Sequence, residues 1–210
     1  MMPEARGSSR PHSVLQAIET YYGGYRMRSL TEARWAMFFT RLNLDWVYEL
    51  QGYVVGKSFG RPRPYRPDFY LPTLGLHVEI KPARADVADP EGVSLWEDFA
   101  GEVVTEWPRD RAAMICGPVP NPDTVDEFGP PRPEVWYDAG IYITGDWHYA
   151  WCACPTGKHF DIQFQARGGR ILCGCPRVLD DRYRTGNHQK ILNAYAAART
   201  ARFDRTERDA

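Results

Sequence analysis

The chain has no apolar run approaching the ~20 residues that a membrane-spanning helix needs. No apolar segment follows the N-terminal MMPEARGSSRPHS, so that stretch does not read as a secretory leader. Internal repeats and low-complexity tracts are absent. The P-loop, GxGxxG and GxSxG signatures are missing as well. The sequence therefore gives no ground for a built-in nucleotide motor, a dinucleotide oxidoreductase or a serine hydrolase. Lysine is scarce, with 4 residues against 22 arginines. Cysteine is limited to five. What is present is a globular composition: 210 residues, 43% hydrophobic and 13% aromatic. That excludes disordered, coiled-coil and collagen-like chains. It fits one large domain, or one domain with a small satellite. A soluble cytoplasmic protein without membrane association is expected.

The net charge of −1 conceals an asymmetry: residues 1–82 carry +4, 83–146 carry −10 and 147–210 carry +5. Basic ends around an acidic middle suit a nucleic-acid partner, although a charge bias is also what an ordinary solvated face produces.

Periodicity predicts a short helix at 14–20, a clearer helix from Ser29 to about Leu42, and strands at 46–55, 65–71 and 76–81. A helix near 92–107 and a strand at 112–117 follow. Cys116 lies in that apolar strand and reads as core. Six prolines in 118–135 mark a connection, and strands are expected again at 134–143 and 147–151. A last helix is expected over 188–203. The fold class is α/β, a small sheet with helices packed on it.

The chemically informative stretch is Pro67 to Lys81. Pro72 and Gly75 bracket a four-residue hairpin loop. If Leu71 pairs with Leu76, Asp68 lies directly opposite Glu79. Opposed carboxylates ~5 Å apart repel, and a divalent cation between them relieves the repulsion. Alternation puts His77, Glu79 and Lys81 on one face of the strand and Leu76, Val78 and Ile80 on the other. His77 either lines a substrate groove or is an edge histidine. Hard oxygen ligands suit Mg²⁺, whose bound water is acidified and whose charge offsets that developing on a phosphate. A neighbouring ammonium stabilises the same transition state. The pattern thus points to phosphodiester hydrolysis. The bland alternative is an amphipathic hairpin with Glu79 and Lys81 on a solvated face.

Pro67-Asp68 followed by Glu79-Ile80-Lys81 resembles the PD-(D/E)XK nuclease superfamily. The element order over 28–117 is similar to its restriction-endonuclease-like αβββαβ core. The resemblance implies that Asp68 and Glu79 bind Mg²⁺ or Mn²⁺, with the Ile80 carbonyl as a further ligand, and that Lys81 is catalytic. It implies a DNA endonuclease. Many members add a carboxylate from the first helix, and Glu32 is the candidate here. Ser29-x-x-Glu32 is equally a capping box, so both readings of Glu32 stand.

Two tight cysteine pairs, Cys152-Ala-Cys154 and Cys173-Gly-Cys175, flank an expected hairpin with strands near 161–165 and 170–172. Without a secretory leader, such pairs read as metal ligands before disulfides. A structural S₄ zinc site of the ribbon type is expected, with His148 or His159 able to replace a cysteine. An iron–sulfur cluster, two disulfides and free thiols are the alternatives. Arg167 and Arg170 flank the Gly-Gly turn and suit phosphate contacts, or are simply solvated. Lys57, Arg61, Arg63 and Arg66 form a second basic segment leading into Asp68, whose aromatics suit base stacking.

These readings divide the chain into an N-terminal tail and short helix (1–27), a nuclease-like core (28–118), a Pro-rich acidic connection (119–146), a zinc-ribbon-like segment (147–180) and a C-terminal helix and tail (181–210). DNA is the expected partner, with a helicase or another replication, recombination or defence component supplying any ATP-driven step. A homodimer is allowed. The rival classes are a non-catalytic nucleic-acid-binding or assembly module on the same fold, and a structural protein whose metal staples a small domain.

Overall fold

Ser29 sets the first helix. Its extended backbone and side-chain oxygen cap α1 (Leu30–Arg41), the Oγ accepting from the Glu32 N–H at 3.2 Å. Asn43, with φ of 54°, takes the left-handed conformation that ends the helix. A computed structural model describes residues 17–57, 60–81, 90–103, 111–121, 134–138, 149–154, 156–164, 173, 175 and 188–203. Among them no helix is long and apolar enough to cross a membrane.

Before α1, β1 (Thr20–Tyr22) and β2 (Tyr25–Met27) form a hairpin. The described part of the helix expected at 14–20 is not helical: 17–19 are irregular and Thr20 begins β1, with residues 1–16 outside the described set. Gly23 and Gly24 both take positive φ, which gives the tight two-residue turn that reverses the chain. After α1 come β3 (Val47–Tyr48), β4 (Tyr53–Val55), β5 (Arg63–Tyr65), β6 (Phe69–Leu71) and β7 (Leu76–Lys81). The single strand expected at 46–55 is broken at Glu49, whose φ is 47°. The run expected at 65–71 is likewise divided between β5 and β6. As a result β4 and β5 leave the main sheet and pair with each other.

Helix α2 (Pro90–Val103) connects β7 to β8 (Arg111–Cys116), which lies parallel to β7. β9 (Glu134–Asp138) completes a five-stranded mixed sheet in the order β3-β6-β7-β8-β9. β10 (Tyr149–Ala153) and β11 (Phe160–Phe164) form an antiparallel hairpin, and α3 (Gln189–Thr200) is the last described element. Among the described residues the architecture is mixed α/β, with small sheets and three helices.

Two apolar clusters cover the faces of the main sheet. On one, α2 buries Val93, Trp96, Phe99 and Ala100 against Val55, Tyr65, Ala112, Met114 and Cys116. On the other, Leu76, Val78 and Ile80 share a cluster with Trp35, Phe38 and Phe39 of α1, Trp151 of β10 and Tyr195 of α3. Phe38 stacks on Tyr195 at 4.7 Å, and Phe39 meets both Phe69 and Trp151. The C-terminal hairpin and helix thus share a core with α1 and the sheet. Phe39→Ala is expected to cost about 3–5 kcal/mol, read as the shift in a denaturant unfolding curve, because it leaves a cavity where three elements meet.

Candidate active site and metal centre

The β6–β7 hairpin is closed by a 3₁₀ turn, Pro72–Leu74, and by Gly75 at φ of 58°. Leu71 pairs with Leu76, Tyr70 with His77 and Phe69 with Val78, the register implied by the Pro72–Gly75 loop. One further step sets Asp68 opposite Glu79. Both are buried, at 1% and 7% exposure. Burial pushes the Asp68 carboxyl well above the usual carboxylate range, and the charges of Glu79 and Glu32 push it further, against the pull of Arg28. Burial also raises Glu79, opposed by Lys81 and Tyr65.

Each carboxylate oxygen of the pair has a partner. Asp68 Oδ1 accepts from the Arg28 guanidinium, and Oδ2 accepts from the Ile80 N–H at 2.7 Å. Glu79 Oε1 lies 3.0 Å from Lys81 Nζ, and Oε2 accepts from the Tyr65 hydroxyl at 2.9 Å. Burial, then the Glu79 charge, holds the Tyr65 hydroxyl well above its ordinary range, so it stays a donor. Asp68, Glu79 and Lys81 are therefore brought together where β6 begins and β7 ends.

Glu32 sits beside this group while serving as a cap. Its carboxylate accepts from the Ser29 hydroxyl at 2.8 Å, the Arg28 N–H at 3.1 Å and the Tyr48 hydroxyl at 2.6 Å. Both readings of Glu32 thus have a physical basis at the same atoms. His77 is buried among rings, 4.6 Å from Tyr70 and 5.3 Å from Phe99. Cys116 is core, at 3% exposure.

The sequence did not single out Arg28 as a site residue. Its side chain, 56% exposed, also meets Glu49 at 3.2 Å, and Glu49 in turn holds Arg66 at 2.9 Å. Nothing in spacing points to it, because it stands 40 residues from Asp68. Of the expected DNA-facing cations, Lys57 and Arg61 are exposed. Arg63 is engaged by α2, 3.0 Å from Asp98 and 3.7 Å from Glu91. Arg167, Arg170, His148 and the strand expected at 170–172 lie outside the described residues.

The raised carboxyls set a pH dependence. Asp68 holds its proton more tightly in the folded state than in the unfolded state. Its contribution to stability is therefore full below the ordinary carboxylate range and is lost as pH rises through the raised value. Without added divalent ions, thermal stability is expected to fall, as pH rises above the ordinary carboxylate range, less steeply in Asp68→Asn than in the parent chain. Calorimetric melting across that range checks it.

A second group forms at the tip of the β10–β11 hairpin. The ligand atoms of Cys154, His159, Cys173 and Cys175 all lie within 4.8 Å of one another. Cys154 Sγ is 3.9 Å from Cys175 Sγ and 3.6 Å from His159 Nδ1, and Cys175 Sγ is 3.4 Å from the same nitrogen. Tetrahedral zinc with ordinary Zn–S and Zn–N distances spaces its ligands by about 3.5–3.8 Å, so this group can hold a zinc-like ion. The turn is built for it. Cys154 N–H donates to the His159 carbonyl at 2.9 Å, and the amides of Lys158 and His159 point at Cys154 Sγ. Burial opposes thiolate formation at Cys154, yet these amides with the Thr156 hydroxyl and His159 bring its pKa down to about 5. Gly157, at φ of 61°, is required there, since a Cβ would lie 2.5 Å from the His188 ring.

Cys152 is not in this group, which corrects the all-cysteine ligand set. It lies inside β10, paired with Asp161 and fully buried, and the strand ends one residue later. His159, already a candidate substitute, is the fourth residue of the group that could hold the ion. No family model, curated protein or solved structure matches this chain.

Proposed function

We propose that this chain is a metal-dependent nuclease that hydrolyses phosphodiester bonds of DNA, with a restriction-endonuclease-like core. The observation that carries the proposal is the buried Asp68–Glu79 pair with Lys81 3.0 Å from Glu79. The order α1, β3, β6, β7, α2, β8, with β7 and β8 parallel, supports it. The donor set fits a hard divalent ion: two carboxylates with raised proton affinity, partly neutralised by a guanidinium that is itself half exposed and shared with Glu49. Asp68 and Glu79, with the Ile80 carbonyl, would hold the ion.

When bound, Mg²⁺ or Mn²⁺ supplies an acidified water and offsets charge developing on the phosphate. The chain's own residues do the rest. Glu79 holds the Lys81 ammonium beside the carboxylates, where it can donate to a phosphate oxygen as negative charge grows. Tyr65 fixes the other Glu79 oxygen. The Ile80 amide and the Arg28 guanidinium fix Asp68.

A second reading is favoured by one observation, that all four oxygens of the pair already have protein partners. On that reading the cluster is structural and the chain a non-catalytic nucleic-acid-binding module. Mn²⁺ titration of zinc-loaded protein, followed by loss of the free-ion paramagnetic resonance signal, separates the two. The nuclease reading expects saturable Mn²⁺ binding that Asp68→Ala and Glu79→Ala abolish. Equal uptake by the parent and both variants favours the structural reading. Because Arg28 competes for Asp68, Arg28→Ala is expected to tighten Mn²⁺ binding roughly 10-fold, the effect of removing one adjacent cation.

A further inference from the structure

A cleft of about 740 Å³ opens at the end of the main sheet opposite Glu79. It is bordered by the β6–β7 turn, the end of α1, the Cys/His turn and α3. Glu79 is three residues along β7 from Leu76, about 10 Å, and neither Asp68 nor Glu79 lines the cleft. We propose that this cleft binds one nucleotide unit through its phosphate and its base, as a second site separate from the carboxylate cluster. The proposal goes beyond the nuclease reading and does not require it.

Charge is the first argument. Arg41, Lys158 and Lys190 line the cleft. Asp161 is the one carboxylate among the described lining residues, and Arg111 holds it at 2.8 Å. With a 2+ ion bound, the adjoining Cys/His group would remove part of the excess, since three thiolates around such an ion leave one negative charge. Among the described lining residues two positive charges remain unmatched, enough for a phosphate. Lys190 is positioned by the Gly157 carbonyl at 2.7 Å, while Arg41 and Lys158 are exposed and free to close on an anion.

Shape and polarity supply the base. The volume lies in the range of about 300–1,000 Å³ typical of small-ligand sites. Asn43 and Asn193 present amides to a base edge: Asn43 can donate and accept, while Asn193, whose Oδ1 accepts from Gln189 Nε2 at 2.8 Å, has its NH₂ left to donate. Half-buried Leu74 and Ala197 offer apolar surface for a ring face. A bare phosphate would need neither the amides nor the apolar wall. The source is either a free nucleotide or a unit of a nucleic-acid strand.

The test uses the full zinc-loaded chain without other divalent ions. Calorimetry with dAMP and with deoxyadenosine, and anisotropy with a fluorescein-labelled oligodeoxyadenylate, give the affinities. Deoxyadenosine is expected to bind at least about 10-fold more weakly than the phosphate-bearing ligand, the worth of one or two charged hydrogen bonds. Arg41→Glu with Lys158→Glu is expected to weaken binding by at least about 10-fold, while Arg41→Lys with Lys158→Arg stays within about threefold. Retained zinc stoichiometry in both double variants guards against a folding artefact. Saturable dAMP binding without oligonucleotide binding identifies a free nucleotide; oligonucleotide binding through the same residues identifies a strand. Asp68→Ala is expected to leave either affinity unchanged, so failure of the nuclease reading is seen separately. The proposal is overturned if neither probe binds, or if the charge-reversed variant binds as well as the parent.

Discussion

Lys81→Met is expected to lower phosphodiester cleavage by about 10²–10⁴-fold, the range found when one positioned catalytic group is removed. The ammonium lies 3.0 Å from Glu79 and is 16% exposed, so it is desolvated enough to act and reachable by substrate. Mn²⁺ binding should persist, because the change removes a cation and leaves Asp68 and Glu79 in place. Salt-dependent DNA affinity should change little, since one phosphate contact alters the slope by only about one. A variant that loses metal binding together with rate would mean that Lys81 organises the carboxylates rather than the reaction.

His159→Ala is expected to release the metal of the Cys/His centre, whereas Cys152→Ala is expected to keep one ion per chain. The contrast follows from position. His159 Nδ1 lies 3.4 Å from Cys175 Sγ, while Cys152 is inside β10. Site formation is linked to local folding, so metal loss should expose the β10–β11 hairpin to proteolysis before the main sheet. The apparent zinc contribution in small zinc-dependent peptides is about 10–16 kcal/mol, and only part of it applies here because Trp151, Phe160 and Ile162 also hold the hairpin to the core. Elemental analysis of both variants decides the matter. Loss of zinc from Cys152→Ala with retention in His159→Ala would restore the all-cysteine set.

The hairpin register was legible because two local signals agreed. Pro72 and Gly75 fixed the loop, and the alternation of Leu76, Val78 and Ile80 fixed the faces, so the opposition of Asp68 and Glu79 needed no tertiary information. The helix α1 was legible from Ser29 and the spacing of its apolar residues. Arg28 was not, since its approach to Asp68 depends on β3, β6 and the left-handed turn at Glu49 meeting in space. The metal set was half legible. The cysteine pairs announced a site, but the pattern could not say that β10 runs through Ala153 and strands Cys152 in the core. The short helix expected at 14–20 is absent over its described residues, 17–20, where Gly23-Gly24 made a hairpin the better solution. The cleft carries no sequence signal, as its cations come from α1, the Cys/His turn and α3.

The central claim is that the Asp68–Glu79 pair supports phosphodiester hydrolysis. Its most direct test is incubation of supercoiled plasmid with zinc-loaded protein and Mg²⁺ or Mn²⁺, resolved as nicked and linear forms over time. The account predicts conversion by the parent chain that depends on the added ion, and none above background by Asp68→Ala or Glu79→Ala. Conversion by those variants at the parent rate, or an intact plasmid with parent protein that demonstrably binds Mn²⁺ and DNA, would contradict it.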